Sequence, residues 1–216
     1  MSFCQQPNPP RVCAEFFVAD AVLTGKVISV RYLPQGLPGH DPGWLYGLKV
    51  LRMYRGPAQA VVKVYTENNS ARLPLEKNRT YLLFAYRADR ILEIYGCGNS
   101  SGLSRAGAAL KQIDEVLKHE ESHSGGNIGG RVELAEGKVA DMAGIRVTAQ
   151  GGSGIYHALT DSSGQFAVQV PAGTYSLRAE SSAWNVSPYD LSFNRPDNVV
   201  IHDGGCAELQ FLATPK

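Results

Sequence analysis

Two short patterns carry residues that could do chemistry. His119-Glu120-Glu121-Ser122-His123 fits H-E-x-x-H, in which two imidazoles a helical turn apart share a face and hold zinc while the glutamate acts as base. A zinc hydrolase built on His119 and His123 needs that helix buried. Here Ser124-Gly125-Gly126 follows at once and nothing apolar downstream would cover the site, so the segment reads as a solvated helix end. Gly98-Asn99-Ser100-Ser101-Gly102 fits G-x-S-x-G, the turn that presents a nucleophilic serine between a strand and a helix. That turn works in a doubly wound parallel sheet, whereas this chain shows a single helical period, and its histidine and acid would have to come from near His157 or His202. A Ser-rich helix N-terminus is the better reading. A third set, Tyr46, Tyr54, Tyr65, Tyr81, Phe84 and Tyr86, could stack nucleobases, but it lies on strands with few basic residues interleaved, so it reads as core. No catalytic residue, metal ligand or cofactor is assigned, and the chain is expected not to be an enzyme.

The four cysteines, at 4, 13, 97 and 206, form no C-x-x-C pair, which excludes the spacing of zinc ribbons and thioredoxins. An even count spread over the whole length suits disulfides in an oxidising compartment; the rival is four buried thiols in a cytosolic protein. Met1-Ser2-Phe3 runs straight into Cys4 and a Pro-rich stretch with no signal peptide. In an exported protein the leader would already be absent from this sequence and Met1 would not be native. The expected location is secreted, extracellular or periplasmic. The N-x-S/T patterns at Asn68, Asn78, Asn99 and Asn185 are short enough to arise by chance.

The elements that must position any site are mostly strands. Segments 21–31, 44–54, 60–66, 80–87 and 91–95 alternate or run apolar between turn signals. Residues 33–43 hold three prolines and three glycines without periodicity and form a long hairpin loop. The period then changes: Leu103, Ala106, Leu110, Ile113 and Leu117 recur at three- and four-residue steps, one amphipathic helix capped by Ser101 or Ser104. It frays into a Gly/Ser-rich linker over 119–130, which places the boundary between a domain at 1–122 and another at 123–216. Beyond it lie seven short strands, at 128–134, 145–150, 156–160, 165–170, 174–179, 199–202 and 208–213, the pattern of an antiparallel sandwich. The fold class is mainly β.

Composition closes off other classes. The 216 residues are 44% apolar, so global disorder is excluded, and no 18-residue apolar run exists, so no helical membrane span is expected. Residues 1–122 carry 15 basic and 11 acidic side chains and residues 123–216 carry 6 and 9. Neither part has the dense positive field that nucleic acid requires.

Residues 4–118 resemble the netrin-like family, best known from the tissue inhibitors of metalloproteinases. The likeness rests on Cys4 with a Pro-rich stretch before Cys13, on Ala19-Asp20-Ala21-Val22-Leu23-Thr24-Gly25-Lys26-Val27, on Val50-Leu51-Arg52-Met53-Tyr54-Arg55-Gly56, on Tyr81-Leu82-Leu83-Phe84-Ala85, and on Cys97 before the helix. It implies a five-stranded OB-like barrel with a C-terminal helix. It also implies a Cys4–Cys97 disulfide, which leaves Cys13 for Cys206 and staples the two domains; Cys4–Cys13 with Cys97–Cys206, and Cys4–Cys206 with Cys13–Cys97, stay open. The family's inhibitors chelate a protease zinc through an N-terminal cysteine, whose position here falls on Ser2, and the facing loop at 66–73 also lacks its cysteine. Residues 128–213 resemble the carboxypeptidase-regulatory-like, transthyretin-like module, through Ile128-Gly129-Gly130-Arg131-Val132, Thr160-Asp161-Ser162-Ser163-Gly164-Gln165-Phe166 and Val170-Pro171-Ala172-Gly173-Thr174-Tyr175. That likeness implies an Ig-like or prealbumin-like, carbohydrate-binding-like sandwich without catalytic residues.

The function expected from these readings is a secreted, non-enzymatic binding or scaffold protein that contacts an extracellular protein or polysaccharide through loops such as 33–43 and 184–198. The alternative is a metalloproteinase-inhibitor-like protein acting on a protease through its N-terminal arm and the 66–73 loop. The candidate partner-binding residues are Ser2, Phe3, Cys4, Gln5, Asn68 and Asn69.

Overall fold

The computed structural model describes residues 9–122, 125–135, 140–189 and 194–216. Among them the chain is mainly β, with several sheets and two α-helices. It divides into two compact units: Glu15–Ile113 form the first, and the segment ending at Ala14 joins Asp114–Lys216 in the second. No helix among the described residues is long and apolar enough to cross a membrane.

The first helix, α1 (Val12–Val18), carries no strong sequence period, being one short burst of Val, Ala and Phe after two prolines. Its side chains Val12, Ala14, Glu15 and Phe16 are all buried. It is a second helix beyond the one expected, and seven residues are too few for periodicity to declare. The first unit continues with β1 (Ala21–Leu33), β2 (Gly43–Arg55), β3 (Val61–Glu67), β4 (Thr80–Ala88), β5 (Ile91–Glu93) and the two-residue β6 (Ser101–Gly102). These six strands pair in the order β1-β2-β3-β5-β4-β6, and an added β1–β4 ladder closes the sheet on itself. Leu23, Val27, Tyr46, Leu48, Val64, Leu83 and Ile94 fill the interior. Register shifts in the β1–β2 ladder near Val22, Thr24 and Val27 supply the local twist that closure needs. Only Ala21–Lys26 of β1 pair with β4, so from Ile28 to Leu33 the strand has β2 alone beside it.

Helix α2 spans Gly107–Ser122, preceded by a 3₁₀ turn at Leu103–Arg105. Of the expected stripe, Ala106 and Ile113 are buried and Leu110 and Leu117 half-buried, while Leu103 is exposed in the 3₁₀ turn and Val116 joins the buried side. The expected caps do not form: Ser101 lies in β6, Ser104 lies in the 3₁₀ turn, and the helix begins only at Gly107. The expected linker is shorter too, because the helix reaches Ser122 and the next strand begins at Gly126. The glycines that suggest flexibility there sit inside a buried strand.

The second unit contains β7 (Gly126–Leu134), β8 (Arg146–Gly151), β9 (Gly154–Leu159), β10 (Gln165–Val170), β11 (Gly173–Glu180), β12 (Trp184–Pro188), β13 (Val199–Ile201) and β14 (Cys206–Pro215). Two four-stranded sheets, β10-β7-β14-β12 and β13-β11-β8-β9, face a common core that includes Ile128, Val147, Phe166, Tyr175, Leu177, Leu209 and Phe211. Two expectations change. The segment taken as a loop at 184–198 contains an eighth strand, β12, whose exposed half hides the alternation. The sandwich is also not wholly antiparallel, since β7 and β14 run parallel from Asn127–Cys206 to Leu134–Ala213. Turn chemistry accounts for two corners. Asp161 Oδ1 accepts the main-chain N–H groups of Ser163 and Gln165 and the Ser163 hydroxyl, while Gly164 adopts φ +80°. Tyr175, 1% exposed, donates its phenol to Pro171 O at 2.8 Å and so anchors the start of β11.

The Cys13–Cys206 disulfide is present. Because Cys13 belongs to the second unit, the bond closes that unit instead of stapling the two domains. Cys97 is also disulfide-bonded. Cys4 lies outside the described residues, as do Ser2, Phe3 and Gln5.

Candidate functional site

The G-x-S-x-G pattern resolves into a structural role. Ser100 is 8% exposed, and its Oγ accepts Phe84 N–H at 2.8 Å and donates to Phe84 O at 3.3 Å, which ties it to β4. A hydroxyl committed to both main-chain groups of one residue has no geometry for attack on a substrate. Its neighbour Asn99 donates from Nδ2 and from its main-chain N–H to Oε2 of the buried Glu15, at 2.6 and 2.8 Å. His119 is exposed on the last turns of α2, where it borders a hollow of about 700 Å³ shared with Arg11, Cys13, Asp203 and Cys206, all in the second unit. His123 lies outside the described residues. Among the described residues, no three His, Cys, Asp or Glu side chains converge on a metal position. Tyr46, Tyr65, Tyr81 and Phe84 are buried, as their strand positions imply.

The strongest convergence of functional side chains is at the loop end of the first unit, where the β1–β2 connection folds over β3 and β5. His40 turns inward and places Nδ1 2.7 Å from Glu93 Oε1, with the two side chains only 11% and 7% exposed. The imidazole edge meets the Tyr65 ring at 5.6 Å. Tyr65 donates its hydroxyl to Asp41 O at 2.5 Å, and the Asp41 N–H reaches Glu67 Oε1 at 3.3 Å. Tyr95 donates to Glu93 Oε2. Burial first, and then the Glu67 and Glu93 charges, push the Tyr65 phenol above its ordinary value; burial and the bond to Glu93 do the same to Tyr95. Both phenols therefore stay protonated donors through the physiological range. The cluster immobilises a proline- and glycine-rich loop, so that the surface beside it is preorganised.

That surface holds the aromatic groups. Tyr32 and Trp44 meet across the β1–β2 ladder with ring centroids 5.0 Å apart and planes tilted by 48°, and the Arg72 guanidinium lies 6.0 Å from the Trp44 ring. Trp44 Nε1 is buried with no hydrogen-bond partner. Arg72 also donates to Asn68 Oδ1 at 2.8 Å, while Asn69 bonds Glu67 through Nδ2 and caps the Ala71 N–H with Oδ1. Ile28, Val30 and Tyr32 are 43%, 37% and 41% exposed on the part of β1 that has a single neighbouring strand. Of the expected contact residues, Asn68 and Asn69 are thus part of this surface. Tyr32, Trp44, Arg72, His40 and Glu93 escaped the sequence reading. One signal was present: the apolar alternation of β1 runs on through Ile28, Val30 and Tyr32 into a loop with no core to receive it.

No protein-family profile matches the chain, and no curated protein matches it. Among solved structures, the Bacillus anthracis TIE protein is similar to it at a TM-score of 0.34 and 12% identity, covering 90% of this chain and 31% of that one.

Proposed function

We propose that this chain is an exported, non-enzymatic binding protein, with an OB-like barrel of the netrin-like kind and a carboxypeptidase-regulatory-like, prealbumin-like sandwich, and that it engages a protein partner through the β1–β2 hairpin. The barrel reading is supported by the closed order β1-β2-β3-β5-β4 with its β1–β4 ladder and parallel β3–β5 pair. The sandwich reading is supported by two four-stranded sheets over one core. The disulfide is compatible with an extracellular location.

The observation that carries the functional reading is the Tyr32–Trp44 ring contact with Arg72 over Trp44, beside exposed Ile28 and Val30. Tyrosine, tryptophan and arginine dominate the energetics of protein interfaces, and the tethered loop beside them removes ordering cost. The test is capture from the extracellular fluid in which the protein occurs, with the immobilised chain as bait. A partner retained by the wild type should be lost with Tyr32→Ala and with Arg72→Glu, and kept with a substitution at exposed Val200 in the second unit. Retention unchanged by both Tyr32→Ala and Arg72→Glu refutes the assignment. A captured metalloproteinase released by changes at residues 2–5 instead would replace it with the inhibitor reading.

A further inference from the structure

Strand β9 is the last in its sheet, so no strand is hydrogen-bonded to its outer main-chain edge, although β10 of the facing sheet runs close to it. The phase of the ladder decides which residues face that edge. Thr160 donates its N–H to Ile145 O at 3.0 Å, towards β8. In an antiparallel ladder, inward- and outward-pointing peptide groups alternate. Leu159, His157 and Ile155 therefore direct their N–H and C=O groups away from β8, and no described hydrogen bond uses them. The same three residues carry the side chains of the outer face, whereas Tyr156 and Ala158 pack on the core. Leu159 and Ile155, at 63% and 58%, are the two most exposed large apolar side chains among the described residues. Between them His157 shares a hydrogen bond with Thr148 Oγ1 at 3.0 Å. Natural sheet edges are usually blunted by lysine, proline or a bulge; β9 has neither residue, and its register against β8 is unbroken.

We propose that β9 pairs with β9 of a second copy of this chain, antiparallel and centred on His157. The strand is self-complementary about that residue. With His157 on the two-fold axis, Ile155 falls opposite Leu159 of the second copy and Leu159 opposite its Ile155, so both apolar pairs form at once. A two-fold interface demands this symmetry of a single patch. The neighbouring registers with the same hydrogen-bond phase set Ile155 or Leu159 against an imidazole and leave an apolar side chain unmatched. A one-residue slip would face the open peptide groups of one strand with committed ones. The strand carries no lysine, arginine or carboxylate, so no like charges meet across the axis.

Sedimentation velocity on the full chain, from micromolar to millimolar concentration, should show a reversible dimer. Leu159→Lys and Ile155→Lys each remove both symmetry-related pairs and should weaken association about tenfold, with the circular dichroism unchanged because both positions are exposed. Cysteine scanning reads the register. In a directly opposed hydrogen-bonded pair the Cα atoms lie about 5.5 Å apart, within disulfide range, so His157→Cys should form a dimer-linking disulfide. Two Ile155→Cys positions would be about 14 Å apart along the ladder and should not cross-link. A monomer at every concentration, a dimer indifferent to both lysines, or equal cross-linking by the two cysteine variants overturns the proposal. So does binding of an extended peptide from another protein without self-association.

Discussion

Replacing Gly98 by alanine would set a Cβ 2.0 Å from Oε1 of Glu15 and 2.8 Å from its Cδ. Glu15 is 1% exposed, and its carboxylate accepts Tyr86 O–H at 2.6 Å on Oε1 and both Asn99 donors on Oε2. Burial, followed by the Glu15 charge, holds the Tyr86 phenol far above its usual range, so it donates at any pH the protein tolerates. To admit the methyl group the carboxylate must retreat by more than an ångström, which breaks the Tyr86 bond and distorts the Asn99 pair. Hydrogen bonds to a charged group are worth about 1.5–3 kcal/mol each, so Gly98→Ala should cost about 3 kcal/mol. Glu15→Ala, which takes the buried carboxylate away from three part-buried donors, should cost about 3–5 kcal/mol. The decisive quantity is the coupling: with Glu15 already truncated the three atoms nearest the new Cβ are gone, so Gly98→Ala should then cost less than about 1 kcal/mol. Urea unfolding followed by Trp44 fluorescence in a Trp184→Phe background reports the first unit alone, since the chain has two tryptophans. Additive costs, within about 0.5 kcal/mol, would refute the idea that the 98–99 turn is shaped around the buried carboxylate.

Loss of the Cys13–Cys206 bond, by Cys13→Ser with Cys206→Ser, opens a link of 193 residues and should destabilise the second unit by at most about 5 kcal/mol, read from its Trp184 transition. Asp161 is held below the usual carboxylate range, first by the Ser163 hydroxyl and then by the Gln165 N–H. Its contribution is therefore present above the ordinary carboxylate pKa and lost as pH falls through the depressed value, so Asp161→Asn should flatten the acid limb of the stability curve. Glu208 has the opposite sign: burial raises its pKa, outweighing Arg11, and Oε2 is buried without a hydrogen bond. A raised carboxyl stabilises the fold only while protonated, so Glu208→Gln should raise Tm at pH 7 and the gain should vanish towards pH 4. Thermal scans of both variants between pH 3 and 8 check these signs.

The strands of both units were legible because a half-buried strand must alternate, as at Tyr46-Gly47-Leu48-Lys49-Val50, and because turns such as Asp161–Gly164 need particular residues for their main-chain geometry. The α2 stripe was legible for the same reason at a different period. Helix α1 was not, since a helix of two turns packed on nearly every side shows no stripe. Neither was β12, which lies at a sheet edge with a proline and a glycosylation-like Asn185 among its residues. The helix caps failed because a serine near a helix start can equally be drawn into other structure: Ser101 pairs with Leu82 of β4 and Ser104 sits in the 3₁₀ turn.

Local sequence alone thus settled a mainly β chain with one clear amphipathic helix, since side-chain periodicity and turn propensities act over a few residues. The tertiary structure decided which distant groups meet. It brought Glu15 to Asn99, His40 to Glu93 and Tyr32 to Trp44, and it set β14 parallel to β7, where spacing suggested only antiparallel neighbours. Those choices depend on closing a sheet and stacking two others, and no local pattern encodes the distance between side chains that only closure makes neighbours.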